Sequence, residues 1–154
     1  MDALYARFGT RLSRFALSLL GDRDAAQDAV QETFLAVWQS AGSYQGGSSV
    51  STWLLGICRN KVRDQLRRRP VAVEPLDEAR GLVAPGSGPE TVEFWACFRQ
   101  MDQEDQELIQ LVFHQGLSLQ EVAEVLGIPV GTVKSRTFYA RRRLQQLLRG
   151  GDSE

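Results

Sequence analysis

Apolar side chains recur at every third or fourth position in the first part of the chain, a spacing that places them on one face of an α-helix. Gly21 ends the first such stretch, and Asp22 is a candidate N-cap for the second. A third helix is predicted to start near Thr52. The apolar stripes of these helices are Leu4, Phe8, Leu12, Phe15 or Ala16, and Leu19; Ala26, Val30, Thr33, Phe34 and Val37; and Leu54 or Leu55, Cys58, Val62 and Leu66.

The chain divides near its middle. Four of its five prolines lie between residues 70 and 89, together with three glycines, which is the composition of an extended linker. Beyond it, helices are predicted over about residues 90–100 and 103–115. Because no alternating strand pattern occurs, we predict an all-α protein. It would consist of two small helical bundles, residues 1–69 and 90–150, joined by a flexible linker over residues 70–89.

The C-terminal bundle contains the strongest local motif, two short helices joined at Gly127. Ser118 and Glu121 have the spacing of a capping box at the start of the first helix. The second helix has its packing seam at Val133, Thr137, Ala140, Leu144 and Leu147. This pattern predicts a helix-turn-helix with a basic second helix, which suits the major groove of DNA. The alternative is a helical hairpin that binds nothing, and the uncompensated arginines after the turn argue against it.

The net charge of −1 conceals a segregated pattern. Residues 59–69 contain six basic side chains against one acid, and residues 134–149 contain six more and no acid. Residues 74–107 reverse the balance, with nine acids against two arginines. Because phosphate binding depends on local charge density, the two basic segments indicate two contacts with DNA. The alternative is two solvated helix faces.

Several function classes are disfavoured. No apolar run approaches the ~18 residues that span a bilayer. The start of the chain has an acid where a signal peptide has basic residues, so we expect a cytoplasmic protein with no membrane insertion. Cys58, Cys97 and the single His114 are too few for a zinc site or a disulfide framework, and we expect no cofactor. An enzyme using these cysteines with His114 has no acid/base pair or phosphate loop to support it.

Three segments resemble, in order, the sigma-70 family of bacterial RNA polymerase sigma factors, specifically its extracytoplasmic-function (ECF) group. Residues 131–136, Gly-Thr-Val-Lys-Ser-Arg, followed by Ala140, Arg141 and Leu144, resemble the family's closing segment. Residues 28–35 resemble its polymerase-binding helix, and residues 52–61 resemble its promoter-melting helix. The matches occur at about the family's spacing and cover most of the chain outside the linker.

The resemblance implies a non-enzymatic factor that binds core RNA polymerase and directs promoter-specific initiation, commonly under the control of an anti-sigma protein. The first domain would bind polymerase through Asp28, Gln31, Glu32 and Leu35. It would also open the minus-ten element through Tyr44, Trp53, Arg59, Asn60, Arg63 and Arg67, with the loop over residues 45–51 holding a flipped base. The second domain would bind the minus-thirty-five element through Thr132, Lys134, Ser135, Arg136, Tyr139 and Arg142. The alternative for Trp53 is a core residue that wedges the loop.

The chain also departs from the family pattern. The helix before the helix-turn-helix starts with the acidic stretch over residues 101–106, where the family usually has Leu-Pro and then Arg. Cys58 stands where the family usually has Ala, and Phe138 and Tyr139 are bulky for their positions, which predicts an unusual minus-thirty-five preference. The rival function is a stand-alone helix-turn-helix regulator, which would bind duplex DNA without polymerase.

Overall fold

A computed structural model describes residues 2–40, Tyr44, Gly46, residues 49–68 and residues 89–152. These residues form helices and connecting turns, and none of them lies in a β-strand, as the sequence predicts. The helices are α1 (Asp2–Leu20), α2 (Arg23–Gln39), α3 (Val50–Arg68), α4 (Pro89–Phe98), α5 (Gln103–Ile109), α6 (Leu119–Leu126) and α7 (Val130–Asp152). A π-helical turn, Gln110–His114, continues α5.

The predicted helix boundaries hold where a specific cap defines them. Asp22 accepts a hydrogen bond from the Asp24 amide at 3.0 Å. Ser118 and Glu121 form the predicted capping box, with bonds of 3.1 and 2.9 Å. Gly127 has φ 69°, a left-handed conformation that glycine adopts without a steric penalty. The helix-turn-helix turn therefore forms as its residues predict.

Boundaries without such a cap differ from the prediction. Helix α3 begins at Val50, two residues before the predicted start. Pro89, the last residue of the predicted linker, is the first residue of α4, a position where its fixed φ is favourable. The predicted helix over residues 103–115 changes to π geometry, and the amide of Gln115 donates to the carbonyl of Gln110 at 2.8 Å. Residues 70–88 of the predicted linker lie outside the described residues.

The two halves of the molecule pack against each other. In the N-terminal half, α1, α2 and α3 form a three-helix bundle; in the C-terminal half, α4, α5 and α6 pack on α7. Helix α3 also packs along α6, and the apolar side chains buried in both halves belong to one continuous cluster. The promoter-melting candidate helix is therefore an interface helix between the halves.

Candidate polymerase and nucleic-acid interfaces

Helix α7 separates its packing seam from its candidate DNA face. Val133, Ala140 and Leu144 are buried against the rest of the C-terminal half, as the predicted seam requires. The candidate DNA residues Lys134, Ser135, Arg136, Tyr139 and Arg142 are exposed, and Thr132 is half-buried. The second helix of the helix-turn-helix thus presents basic side chains to solvent, together with the exposed rings of Phe138 and Tyr139.

The acidic start of α5 lies beside this helix. Arg143 pairs with Asp105 at 2.6 Å and with Asp102 at 3.5 Å, and Arg136 lies 3.8 Å from Glu104. Burial raises the pKa of Asp105, while the attraction of Arg143 opposes that shift. These acids belong to the acidic stretch over residues 101–106. They offset part of the charge of α7 and leave Lys134 and Arg142 without an ion-pair partner among the described residues.

The candidate polymerase surface is a continuous stripe along α2. Asp28, Gln31 and Leu35 are exposed, and Glu32 is half-buried, 3.7 Å from Arg68 at the end of α3. Leu35 is 59% exposed, although its neighbours Phe34 and Val37 are buried. The stripe therefore surrounds one apolar side chain with acids and amides.

Trp38 extends this stripe, and the sequence reasoning did not single it out. The side chain is 69% exposed and lies one turn beyond Leu35. The sequence alone could have placed Trp38 in this surface, because it follows Leu35 by three residues and so shares its helix face. Large apolar side chains at such exposure are characteristic of contact surfaces when they occur together.

Tyr44 and Trp53 are brought together at the start of α3. Their ring centroids lie 4.8 Å apart, and both residues are half-buried. Trp53 is partly buried and also packs against the core. Of the predicted base-holding loop, residues 45, 47 and 48 lie outside the described residues.

The four polar residues predicted along α3 do not share one environment. Arg59 and Arg63 converge on Glu107 of α5. The Nε atom of Arg59 donates to Oε1 at 2.8 Å, and Arg63 donates to both carboxylate oxygens at 2.9 Å. Asn60 and Arg67 are exposed instead, and Arg67 pairs with Asp64 on its own helix. The structure thus divides these four of the six candidate minus-ten residues into a covered pair and an exposed pair.

The Glu107 side chain is 1% exposed, and those of Arg59 and Arg63 are 16% and 30% exposed. The hydrogen bonds that Arg63 donates to Glu107 raise the pKa of Arg63 above its usual value, so the guanidinium group keeps its positive charge. We call this three-residue cluster the closure contact. The sequence could not reveal it, because the partners of Glu107 are more than forty positions away along the chain.

Two further polar contacts join the halves. Arg11 of α1 donates to the side chain of Gln115 at 2.7 Å and to its backbone carbonyl at 2.9 Å. Thr52 of α3 donates to Glu121 at 3.3 Å. The capping bond with the Ser118 backbone is the largest influence lowering the pKa of Glu121. The interface between the halves is therefore polar at several points as well as apolar.

The two cysteines are buried, and the exposed His114 stacks on an aromatic ring. Cys58 and Cys97 are buried, and burial raises the pKa of the Cys58 thiol to about 12, far from the thiolate form that reacts. The His114 ring stacks on Trp95 with centroids 5.6 Å apart. Among the described residues, no three His, Cys, Asp or Glu side chains are placed to hold a metal ion, and no helix is both long and apolar enough to cross a bilayer.

Comparison with known families identifies both halves. Residues 4–70 match the family model described as Sigma-70 region 2, and residues 97–146 match Sigma-70, region 4. The chain is 37% identical over 142 residues to the ECF RNA polymerase sigma factor EcfG of Rhodopseudomonas palustris, covering 89% of this chain and 78% of that protein. The chain belongs to the ECF RNA polymerase sigma factors. It is therefore a transcription initiation factor of the kind that the sequence resemblance implied.

Further relatives of this sigma factor agree. It is 33% identical over 151 residues to the sigma factor SigM of Mycobacterium tuberculosis, covering 96% of this chain and 76% of that protein. Among solved structures, the sigma factor RpoE in complex with the anti-sigma factor NepR from Bartonella quintana matches with a TM-score of 0.78 and 29% identity, covering 96% of each chain. CnrH in complex with the cytosolic domain of CnrY matches with a TM-score of 0.76 and 32% identity, covering 97% of this chain and 87% of that one.

Proposed function

We propose that this sigma factor divides its work between its two halves. Residues 1–69 bind core RNA polymerase and open the minus-ten element, residues 90–150 bind the minus-thirty-five element as duplex, and residues 70–89 link them. The observation that carries the proposal is the ordered match to both sigma-70 regions, together with the exposed basic face of α7.

Polymerase binding is assigned to the α2 stripe, Asp28, Gln31, Glu32 and Leu35, with Trp38 as an added contact. Charged and amide groups around two exposed apolar side chains suit an interface that must form and dissolve, because the polar rim is well hydrated when the partner leaves. The apolar centre supplies affinity, and the acids orient a basic partner surface.

Promoter contacts are assigned to two helices. On α7, Lys134, Arg136 and Arg142 reach phosphates or guanine edges; Ser135 and Tyr139 lie along the same exposed face, and the half-buried Thr132 lies beside it. On α3, Asn60 and Arg67 are available to the minus-ten strand in this structure, whereas Arg59 and Arg63 become available when the halves separate. The Tyr44–Trp53 pair offers an aromatic surface on which an unstacked base can pack.

The protein has, on this proposal, no catalysis of its own and acts in the cytoplasm with polymerase. An anti-sigma protein regulates it, since a similar solved structure is a sigma factor bound to an anti-sigma factor. The rival function, a stand-alone regulator, predicts promoter-specific binding without polymerase, and the match to region 2 argues against it.

A run-off transcription assay tests the proposal. Purified core polymerase, a promoter library and this protein should give promoter-specific transcripts that neither protein gives alone. Reversing two charges, Asp28→Lys with Glu32→Lys, should weaken core binding at least tenfold, because two attractive contacts become repulsive. Duplex minus-thirty-five binding by the same full-length variant should be unchanged. Equal loss of both activities, or no transcript from a folded protein, would contradict the assignment.

A further inference from the structure

The closure contact places an acid against candidate minus-ten residues. Glu107 receives three hydrogen bonds of 2.8–2.9 Å from the guanidinium groups of Arg59 and Arg63. Its carboxylate is essentially inaccessible to solvent. The two arginines come from the N-terminal half and the acid from the C-terminal half, so the contact exists only while the halves are packed together.

A buried carboxylate is costly unless it is paired, and removing its partners leaves an uncompensated charge. Apolar residues at these three positions would join the halves at least as well, because replacing a buried ion pair with packed apolar groups is often neutral or stabilising. The neighbours of Glu107 on α5, Leu108 and Ile109, are themselves buried and apolar. The need to hold the two halves together therefore does not explain why this interface contains an acid.

Competition with DNA does explain it. A carboxylate and a phosphate diester both present anionic oxygens to arginine, and guanidinium groups bind either with paired hydrogen bonds. The donors of Arg59 and Arg63 that contact Glu107 cannot contact a DNA strand at the same time. Closed packing and full minus-ten binding thus exclude each other.

We propose that Glu107 acts as an internal substitute for a DNA phosphate. It holds the free protein closed, with α3 covered by the C-terminal half, until polymerase separates the halves. This inference rests on the proposed function, because it takes α3 as the minus-ten helix. The Arg11–Gln115 and Thr52–Glu121 contacts help to hold the same closed arrangement.

A reversible cross-link tests closure while leaving Glu107 and its arginines in place. The variant Arg11→Cys with Gln115→Cys would be joined by a bis-maleimide reagent that contains a cleavable disulfide; the natural cysteines are buried. The linked protein should lose at least 90% of promoter-specific transcription with core polymerase, and thiol cleavage should restore it. Arg11→Cys alone, treated identically, is the control. Full transcription from the linked protein would overturn the proposal.

The second test removes the charge of Glu107. In Glu107→Gln the affinity of the full-length protein for a single-stranded minus-ten oligonucleotide should rise about threefold to tenfold, because a larger fraction of molecules is open. Förster resonance energy transfer between one dye on each half should fall in the same variant, because the halves are farther apart in the open molecules. The matched control is Glu124→Gln, which removes an exposed acid from α6. An unchanged DNA affinity in a folded Glu107→Gln protein would contradict competition, and the cross-link test decides if this variant fails to fold.

Different results would contradict the closure proposal and the proposed function. If only the closure proposal is wrong, the wild type still gives promoter-specific transcripts, while the cross-link and Glu107→Gln change nothing. If the proposed function is wrong, neither the wild type nor the opened variant gives a transcript, whatever the distance between the halves.

Discussion

Helices α3 and α7 both carry several basic side chains, but these side chains differ in how accessible they are to DNA. On α7, Lys134 and Arg142 face solvent, and the nearby acids of α5 pair mainly with Arg143. On α3, Arg59 and Arg63 are directed into a buried carboxylate of the other half. A run of basic residues therefore indicates the capacity to bind phosphate, but packing between the halves determines which run can bind in the free protein.

The largest effect should come from removing the covered arginines. Arg59→Ala with Arg63→Ala leaves Glu107 buried without its charged partners, which should lower the free energy of unfolding by about 3–5 kcal/mol. The matched pair on α7, Lys134→Ala with Arg142→Ala, should change it by less than about 0.5 kcal/mol, because both side chains are exposed. Denaturant unfolding of the full chain measures both.

A third variant tests whether the uncompensated charge of Glu107 causes the loss of stability. Adding Glu107→Leu to the double arginine variant should restore most of the lost stability, because the uncompensated charge is gone and an apolar side chain fills the site. If the double arginine variant is as stable as the wild type, Glu107 does not depend on these arginines and the distinction between the two helices fails.

The next effect concerns DNA binding by the exposed helix. Arg142→Ala should weaken binding to duplex minus-thirty-five DNA by about 1–3 kcal/mol if the side chain reads a base, and should relax the preference at one position. A phosphate role would instead weaken binding to all sequences and reduce the salt slope by about one. Fluorescence anisotropy at several salt concentrations distinguishes the two. Arg143→Ala is the comparison, and it should matter less because Asp105 already holds Arg143.

The sequence predicts the parts of this molecule that depend on local chemistry. The capping box at Ser118, the turn at Gly127 and the buried seam of α7 follow from neighbouring residues, and the structure confirms each of them. The closure contact could not be predicted, since it depends on how two separately predicted bundles pack. An acid at position 107 resembles a surface residue until the arginines of α3 are placed beside it.

A smaller effect is expected at Glu121, which links the helix-turn-helix to α3. It caps α6 and also accepts from Thr52 of α3. Its pKa is lowered, first by the hydrogen bond from the Ser118 backbone, so the ionised form stabilises the fold. That contribution is complete above the ordinary glutamate pKa and is lost as pH falls through the lowered value. Glu121→Gln should therefore cost about 0.5–1 kcal/mol at pH 7 and almost nothing at acid pH.

The matched variant Thr52→Val removes the contact between the halves and leaves the cap intact. It should shift the unfolding free energy by less than Glu121→Gln does and with little pH dependence, because the Ser118–Glu121 capping bonds account for most of the effect. Chemical unfolding over a series of pH values, from pH 7 into the acid range, measures both variants. If Thr52→Val reproduced the full pH-dependent loss, Glu121 would serve mainly to hold the halves together rather than to start the helix-turn-helix.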